Sequence, residues 1–321
     1  MKLSIGIVGL PNVGKSTLFK ALTKLEVNIA NYPFATIDPN VGVVAVPDER
    51  LDKLVKMSNP KKIIPAVVEF YDIAGLVRGA HKGEGLGNQF LSRIHEVDAI
   101  VHLVRCFKSE DISHIENSID PTRDVEIINT ELILKDLETI ERRFGKADAE
   151  AKTEKKDAKI KTELEAGRFP SGDEVVSDLS LLTIKPQIYL LNGQESDITQ
   201  ELISKIKQLG STYLVTDLND AATDLSPLIR TAYKTLGLIS FFTTGEDETR
   251  AWTIKRGMKA PQAAGVIHTD FEKNFIRAEV IQWDKLLEAG DWAKARQKGW
   301  LRIEGKDYVV QDGDVVVVRH G

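Results

Sequence analysis

One nine-residue run near the amino terminus constrains this chain more than any other: Gly9-Leu10-Pro11-Asn12-Val13-Gly14-Lys15-Ser16-Thr17. It fits G-x-x-x-x-G-K-[ST]. An apolar, strand-like stretch at residues 3–8 precedes it, and a helical apolar series, Leu18, Phe19 and Leu22, follows. Strand before and helix after separate this motif from a chance match. The residue types follow from what such a turn holds. Gly9 and Gly14 let the backbone curl so that its N–H groups point inward at phosphate oxygens. Lys15 puts a point charge on the β- and γ-phosphates, and Ser16 offers a hydroxyl to Mg2+. The helix opening at Lys15 turns its positive end on the same anion. Asn12, Val13, Gly14, Lys15, Ser16 and Thr17 are therefore the candidate phosphate-binding residues.

The chain has 321 residues, more than one ordinary domain, so two or three are expected. Apolar content of 42% and charged content of 28% are those of a globular protein. A net charge of −5 excludes a strongly basic nucleic-acid binder and leaves room only for a local patch. The single cysteine, Cys106, excludes an intrachain disulfide and suits a reducing compartment. Its neighbours Val101, Leu103, Val104 and Phe107 read as those of a core thiol near a strand end. The chain starts without an apolar signal region, and no run reaches the ~18 apolar residues of a membrane span. A cytoplasmic location, away from membranes, is the expectation.

Downstream motifs extend the nucleotide site. Asn31-Tyr32-Pro33-Phe34-Ala35-Thr36-Ile37-Asp38-Pro39-Asn40 reads as a loop and residues 41–46 as a strand. In a phosphate-loop NTPase this loop is the first switch, and Thr36 is the candidate to sense the γ-phosphate through Mg2+. A turn threonine is the alternative. A strand at 67–71 then delivers Asp72-Ile73-Ala74-Gly75. Asp72 can hold Mg2+ through water, and the Gly75 N–H can touch the γ-phosphate. Where many GTPases carry a glutamine that orients water, this chain has Leu76, so hydrolysis needs help from elsewhere. Residues 78–88, with four glycines, read as a second switch leading into a helix from Gln89. Further strands at 98–104, 187–191 and 211–215 and a helix at 226–236 complete an α/β, doubly wound, mostly parallel sheet. Every motif falls at the strands' carboxyl ends.

Guanine-specific members of this class carry N-K-x-D after the penultimate strand. Here the stretch is Asn192-Gly193-Gln194-Glu195. The lysine is gone and the acid is one methylene longer. A site built on buried hydrogen bonds discriminates steeply, so a displaced acceptor weakens guanine preference and makes adenine credible.

With these residues the chain resembles the YchF / Obg-like ATPase family of P-loop NTPases. The resemblance is carried by the phosphate loop, by Asn31-Tyr32-Pro33-Phe34 with Thr36, and by Asp72-Ile73-Ala74-Gly75-Leu76-Val77. It continues through Lys82-Gly83-Glu84-Gly85-Leu86-Gly87-Asn88-Gln89-Phe90 and Asn192 with Glu195. Two carboxy-terminal strings match as well, Arg250-Ala251-Trp252-Thr253-Ile254 and Ala260-Pro261-Gln262-Ala263-Ala264-Gly265 through His268-Thr269-Asp270-Phe271-Glu272-Lys273. It implies a P-loop NTPase G domain, a helical coiled-coil-like insert and a carboxy-terminal TGS domain of the β-grasp kind. It also implies ATP preferred over GTP, slow hydrolysis and association with the ribosome, through its large subunit or as a whole. In the family a histidine in the loop after the Val-Arg-Cys-Phe strand takes the missing glutamine's role; His114 aligns with it, and an incidental loop histidine is the alternative. Asn12 sits where an asparagine helps ligate K+. The chain departs from the family in three places. Ala35 stands where related chains carry a cysteine, Thr216-Asp217-Leu218 blurs the last base-binding motif, and the insert is short.

The expected domains are 1–124 with 183–237 for the nucleotide domain, 125–182 for the insert and 238–321 for the TGS domain. Ile128, Leu132, Leu134, Leu137 and Ile140 give residues 125–143 an amphipathic helix. Residues 146–168 are mostly Ala, Lys, Glu and Asp with two apolar anchors, Ile160 and Leu164, which suggests an antiparallel helical pair. Pro170-Ser171-Gly172 ends it, and Ser171 with Glu174 suits a capping box. From residue 238 short runs take over, at 238–243, 250–254, 277–281, 308–310 and 315–318, with helices near Asp270 and Trp283. Thirteen basic and thirteen acidic residues balance in 238–321, so rRNA contact needs a local arrangement, for which Lys255, Arg256 and Lys259 with Trp252 are candidates. The sequence therefore points to a ribosome-associated regulatory NTPase that hydrolyses ATP with Mg2+. The rivals are a GTP-specific switch and a non-catalytic nucleotide-gated ribosome or RNA adaptor.

Overall fold

The computed structural model describes residues 3–27, 38–73, 86–109, 118–144, 151–170, 180–220 and 222–321. One of its two sheets has six strands in the order β2-β4-β1-β5-β6-β7. The strands are β1 (Ser4–Val8), β2 (Val41–Ala45), β4 (Val67–Asp72), β5 (Ala99–Arg105), β6 (Gln187–Asn192) and β7 (Thr212–Thr216). All neighbours run parallel except β2 against β4. The central strands read as near-continuous apolar runs because helices cover both faces of such a sheet. β1, β5 and β6 are buried along their whole length. Helices α1 (Lys15–Thr23), α3 (Leu86–Glu96), α6 (Gln200–Gln208) and α7 (Ser226–Thr235) supply the cover. Leu18 and Leu22 of α1 are fully buried on the sheet, as their spacing predicts.

His102 sits in the middle of β5, 1% exposed, with its Nδ1 unpartnered. Its ring packs on Tyr189, 4.9 Å between centroids, and the Tyr189 hydroxyl accepts a hydrogen bond from Asn129. Burial alone lowers the imidazole pKa from 6.5 to about 3, so the folded protein holds this group neutral. The unfolded chain binds the proton first as pH falls. Stability is therefore full above pH 6.5 and is lost progressively toward about pH 3. His102 alone is expected to contribute an acid destabilisation of about 4 kcal/mol over that window. Urea unfolding at pH 7 and pH 4.5 should read about 2.5 kcal/mol of it. His102→Leu should flatten the difference, and an unchanged pH slope in that variant would exclude the assignment.

The insert is built on α4 (Pro121–Phe144) and α5 (Ala151–Glu165). Ile133 and Ile140 of α4 meet Ile160 and Leu164 of α5 in a separate small core closed by Leu181. The pairs Arg143–Asp157 at 3.1 Å and Glu141–Lys161 at 3.4 Å give the two helices opposite directions. Both anchors read from the sequence are thus buried. Helix α4 starts four residues earlier than its apolar periodicity predicts, because Pro121 suits a first helical turn. Asp136, wholly buried, accepts the Leu182 and Thr183 N–H groups, both at 2.8 Å, and the Thr183 hydroxyl. That carboxylate pins the chain as it returns to β6. The capping box at Ser171 and Glu174 lies outside the described residues.

The second sheet has the order β11-β10-β12-β8-β9-β3. It comprises β3 (Lys62–Ile64), β8 (Leu238–Thr244), β9 (Glu248–Lys255), β10 (Phe275–Gln282), β11 (Arg302–Glu304) and β12 (Asp314–His320). One face is covered by α8 (Ala260–Ile267), whose small Ala260, Ala263 and Ala264 let it lie close on Ile239, Phe241 and Val280. Helix α9 (Thr269–Lys273) follows α8. On the other face lie α2 (Glu49–Ser58), α10 (Trp283–Ala289) and α11 (Trp292–Gln297). Leu51 and Leu54 of α2 share one continuous core with Phe242, Ala251, Ile281 and Leu286. Residues 49–64 therefore precede β4 in sequence but build the second sheet, and β3 pairs in parallel with β9 as its edge. The strand expected at 308–310 does not form. Val309 makes one isolated bridge to Lys259, and the Tyr308 hydroxyl is drawn off to Asp314 at 2.7 Å. Among the described residues, no helix is long and apolar enough to cross a membrane.

Candidate nucleotide site

β1 ends at Val8, and the chain turns through 9–14 into α1. Two glycines make that turn possible. A Cβ on Gly9 would lie 2.6 Å from the Leu103 carbonyl oxygen, so β5 permits no side chain there. Gly14 has φ +106°, and its Cβ would lie 2.8 Å from the Asn192 amide nitrogen. Asn12 adopts φ 62°, a left-handed conformation that asparagine tolerates better than most residues. Gly14 is the N-cap of α1, with no side-chain cap. The first-turn N–H groups thus receive no acceptor from a capping side chain, which is the condition for an anion site.

Lys15 folds back over the loop. Its ammonium donates to the Gly9 carbonyl at 3.1 Å and the Leu10 carbonyl at 2.8 Å. Burial lowers its pKa from 10.5 to about 8, against the opposing pull of the Asp72 charge. Asp72 closes β4 beside β1, in register with Ile7, and its own carboxyl is raised by burial, with Lys15 pulling it down. Ser16 and Thr17 are exposed in the first turn of α1. A hydroxyl and a carboxylate beside a phosphate cradle are hard oxygen donors, the set that suits Mg2+. Val13 is buried beneath the loop.

The structure brings the base loop to the same end of the sheet. Asn192 is 2% exposed, and its side chain is a bridge. Its amide donates to the Val13 carbonyl at 2.9 Å, and its Oδ1 accepts the Leu218 N–H at 3.1 Å. Asn192 thereby ties the phosphate loop to residue 218, the segment in which the last base-binding motif looked blurred. A Cβ on Gly193 would be tightly crowded, with Cys106 Cβ, Phe107 N and Asp197 Oδ2 all at 3.1 Å. Glu195 opens a 3-10 turn, Glu195–Asp197, and is exposed. Leu218 was not legible as part of this site, because its hydrogen bond there comes from a backbone N–H. Thr36, Gly75, Leu76, His114 and Ala35 lie outside the described residues. Cys106 is buried just after β5 and its thiol is pushed up to about 12, which fits an inert core thiol.

Of the patch considered for RNA, Lys255 and Arg256 are exposed at the end of β9. Lys259 is paired with Asp307 at 2.7 Å. The Trp252 ring lies under the Arg250 guanidinium at 3.8 Å and runs nearly parallel to Phe241, 6.4 Å between centroids, so the face under Arg250 is not a free stacking platform.

Residues 4–138 match a family model described as "50S ribosome-binding GTPase". Residues 238–321 match the YchF-GTPase_C model, described as "Protein of unknown function (DUF933)". The chain is 45% identical to the ribosome-binding ATPase YchF of Bacillus subtilis, with 99% of each chain covered. It is 42% identical to Obg-like ATPase 1 of Oryza sativa subsp. japonica, over 98% of this chain and 91% of the relative. The aligned length with the Bacillus protein, 363 positions, exceeds the 321 residues here, so that relative carries segments this chain lacks. The solved structure of the Schizosaccharomyces pombe YchF GTPase superposes with a TM-score of 0.84 at 39% identity, covering 99% of this chain and 98% of that one. The two curated relatives are named ATPases and the solved structure a GTPase, so the names leave the base undecided. Phosphate loop, base-loop bridge and carboxy-terminal sheet agree with these matches from end to end: the chain is a P-loop NTPase and belongs to the YchF / Obg-like ATPase family.

Proposed function

We propose that this protein binds and slowly hydrolyses ATP with Mg2+, and that the γ-phosphate gates its association with the ribosome. The observation that carries the reading is the pairing of an intact phosphate cradle with an altered base loop. The cradle is uncapped at α1 and closed by Lys15. The base loop keeps the Asn192 bridge but presents Glu195, exposed, where guanine selection needs a placed aspartate.

In this reading Lys15 and the N–H groups of 13–17 hold the phosphates. Ser16 and Thr36 ligate Mg2+, Asp72 supports it through water, and Gly75 senses the γ-phosphate. When bound, Mg2+ neutralises charge on the β- and γ-phosphate oxygens. Leu76 supplies no hydrogen bond to the attacking water, and His114 positions it as a neutral imidazole. Asn12 helps hold a K+ beside the phosphates; equal turnover in Na+ and K+ would exclude that role. The carboxy-terminal sheet acts as a TGS-type β-grasp domain that, with the insert, contacts the ribosome and its rRNA, in the cytoplasm.

Single-turnover hydrolysis with and without ribosomes tests the hydrolytic part. Turnover should be slow alone, and His114→Ala should lower it by roughly 10²-fold with ATP affinity retained. Equal rates in wild type and variant would remove His114 from the mechanism, and no turnover under either condition would favour the adaptor reading.

A further inference from the structure

Where α7 of the first sheet meets the second sheet, a cavity of about 470 Å3 opens. Its walls are the residues leading from β2 into α2, one face of α7 and the start of β8. That volume is in the range of small-molecule sites. The polar groups of its floor are satisfied by the chain itself. Arg50 donates to Asp48 from Nε at 2.9 Å and from Nη2 at 2.7 Å, and its Nη1 lies 3.0 Å from Asp312. The Tyr233 hydroxyl donates to the Ile239 carbonyl at 3.1 Å and shares a hydrogen bond with the Ser240 hydroxyl at 3.0 Å. Glu49, the remaining carboxylate of the wall, is 85% exposed and lies 3.9 Å from Lys53.

Three further cations line the same cavity and are treated differently. They are Arg230 and Lys234 of α7 and Arg256, just past β9, and all three are exposed. Among the described residues, none of their side chains makes a hydrogen bond or an ion pair. The charge of Arg230 reaches only as far as an exposed carboxylate, Asp224, without pairing with it. Acidic residues outnumber basic ones in this chain, 48 to 43, so partners are not scarce. The negative end of α7 accounts for Lys234, in the last helical turn, but for neither arginine. Arg230 and Lys234 stand four residues apart on one helix face, where like charges repel. Arg256 is carried to the same place from the second sheet, because its N–H donates to the carbonyl of Gly237, just past α7, at 2.9 Å.

We propose that this cavity binds a small phosphate-bearing ligand, whose phosphate is held by Arg230, Lys234 and Arg256. Two planar guanidinium forks and an ammonium suit phosphate oxygens. The bound anion relieves the repulsion along α7. It also joins a helix that covers the first sheet to the end of a strand in the second, so occupancy tightens the junction between them. A small ligand is favoured over RNA because the cations line a concave site with a satisfied floor, whereas RNA backbones run along open charged grooves. None of the three cations belongs to the phosphate loop or the base loop, so the site stands apart from the nucleotide site and does not depend on which purine that site selects.

The test uses the full chain carrying Lys15→Ala, which disables the phosphate loop, with inorganic pyrophosphate as the probe in titration calorimetry at low salt. Pyrophosphate should bind. Arg230→Gln, Lys234→Gln and Arg256→Gln, each added to that background, should weaken it roughly 10-fold or more, the cost of one charge-assisted hydrogen bond. Added salt should weaken it too. The same three substitutions in a chain that keeps Lys15 should leave ATP affinity within about twofold and the thermal melt unchanged, since they remove exposed side chains. No pyrophosphate binding in the Lys15→Ala chain would overturn the site, as would binding indifferent to all three substitutions. Capture of a short single-stranded RNA through these residues, with pyrophosphate ignored, would make this an RNA surface and overturn the small-ligand assignment.

Discussion

Replacing Lys15 with alanine should weaken Mg·ATP binding by about 10²-fold or more and abolish measurable turnover, since charge-assisted hydrogen bonds to phosphate carry about 1.5–3 kcal/mol each. The fold should survive. Among the described residues, the Lys15 ammonium donates to the Gly9 and Leu10 carbonyls of its own loop and to no core side chain. The same residue makes binding depend on pH. In the free protein its pKa is lowered to about 8 by burial. A phosphate beside it favours the charged form and raises that value. Binding then takes up a proton at pH values above about 8, so affinity falls as pH rises through that range. Calorimetry at pH 8.5 in two buffers of different ionisation enthalpy reads the uptake directly. Wild type should show it and Lys15→Ala should not. Equal affinity in the variant would remove the phosphate loop from the account.

Asn192→Ala should damage stability and binding together. The Asn192 side chain joins two buried backbone groups, the Val13 carbonyl and the Leu218 N–H. Truncation leaves both unsatisfied at about 1–3 kcal/mol each, so a loss of about 2–6 kcal/mol in unfolding free energy is expected. The phosphate loop would lose its tie to the base loop, and ATP affinity should drop roughly 10-fold or more. Asn192→Asp separates the two bonds. Its carboxylate can still accept the Leu218 N–H but sets an oxygen against the Val13 carbonyl, so it should be no better than alanine. A thermal melt and an ATP titration check both variants. An unchanged melt with lost binding would mean that Asn192 touches the base directly and does not act as a bridge.

The nucleotide half of the fold was legible because its signals are local. An apolar strand, a glycine turn and a helix stand side by side in the chain, and the strand ends at Val8, Asp72 and Asn192 follow from the motifs they carry. The insert's core was legible from Ile160 and Leu164, since two anchors in a charged helix have to face something. The second sheet was only partly legible. Its strand β3 and helix α2 sit in the first quarter of the chain, and pairing with β9 nearly two hundred residues later leaves no local trace. A local sign of α2 did exist. Asp48 caps it by accepting the Arg50 N–H, and Leu51 and Leu54 lie at helical spacing. The buried Arg105 and Asp124 were not legible either, because charged residues at strand and helix ends ordinarily read as solvated. The role of Leu218 was hidden because a backbone N–H has no sequence signature.

The central claim is that a phosphate loop of ordinary construction serves a purine site no longer built for guanine. Titration calorimetry of the free protein with Mg·ATP and, separately, Mg·GTP tests it most directly. The account predicts measurable ATP binding that is tighter than GTP binding and that disappears in Lys15→Ala. Tight GTP binding with no heat from ATP would contradict it.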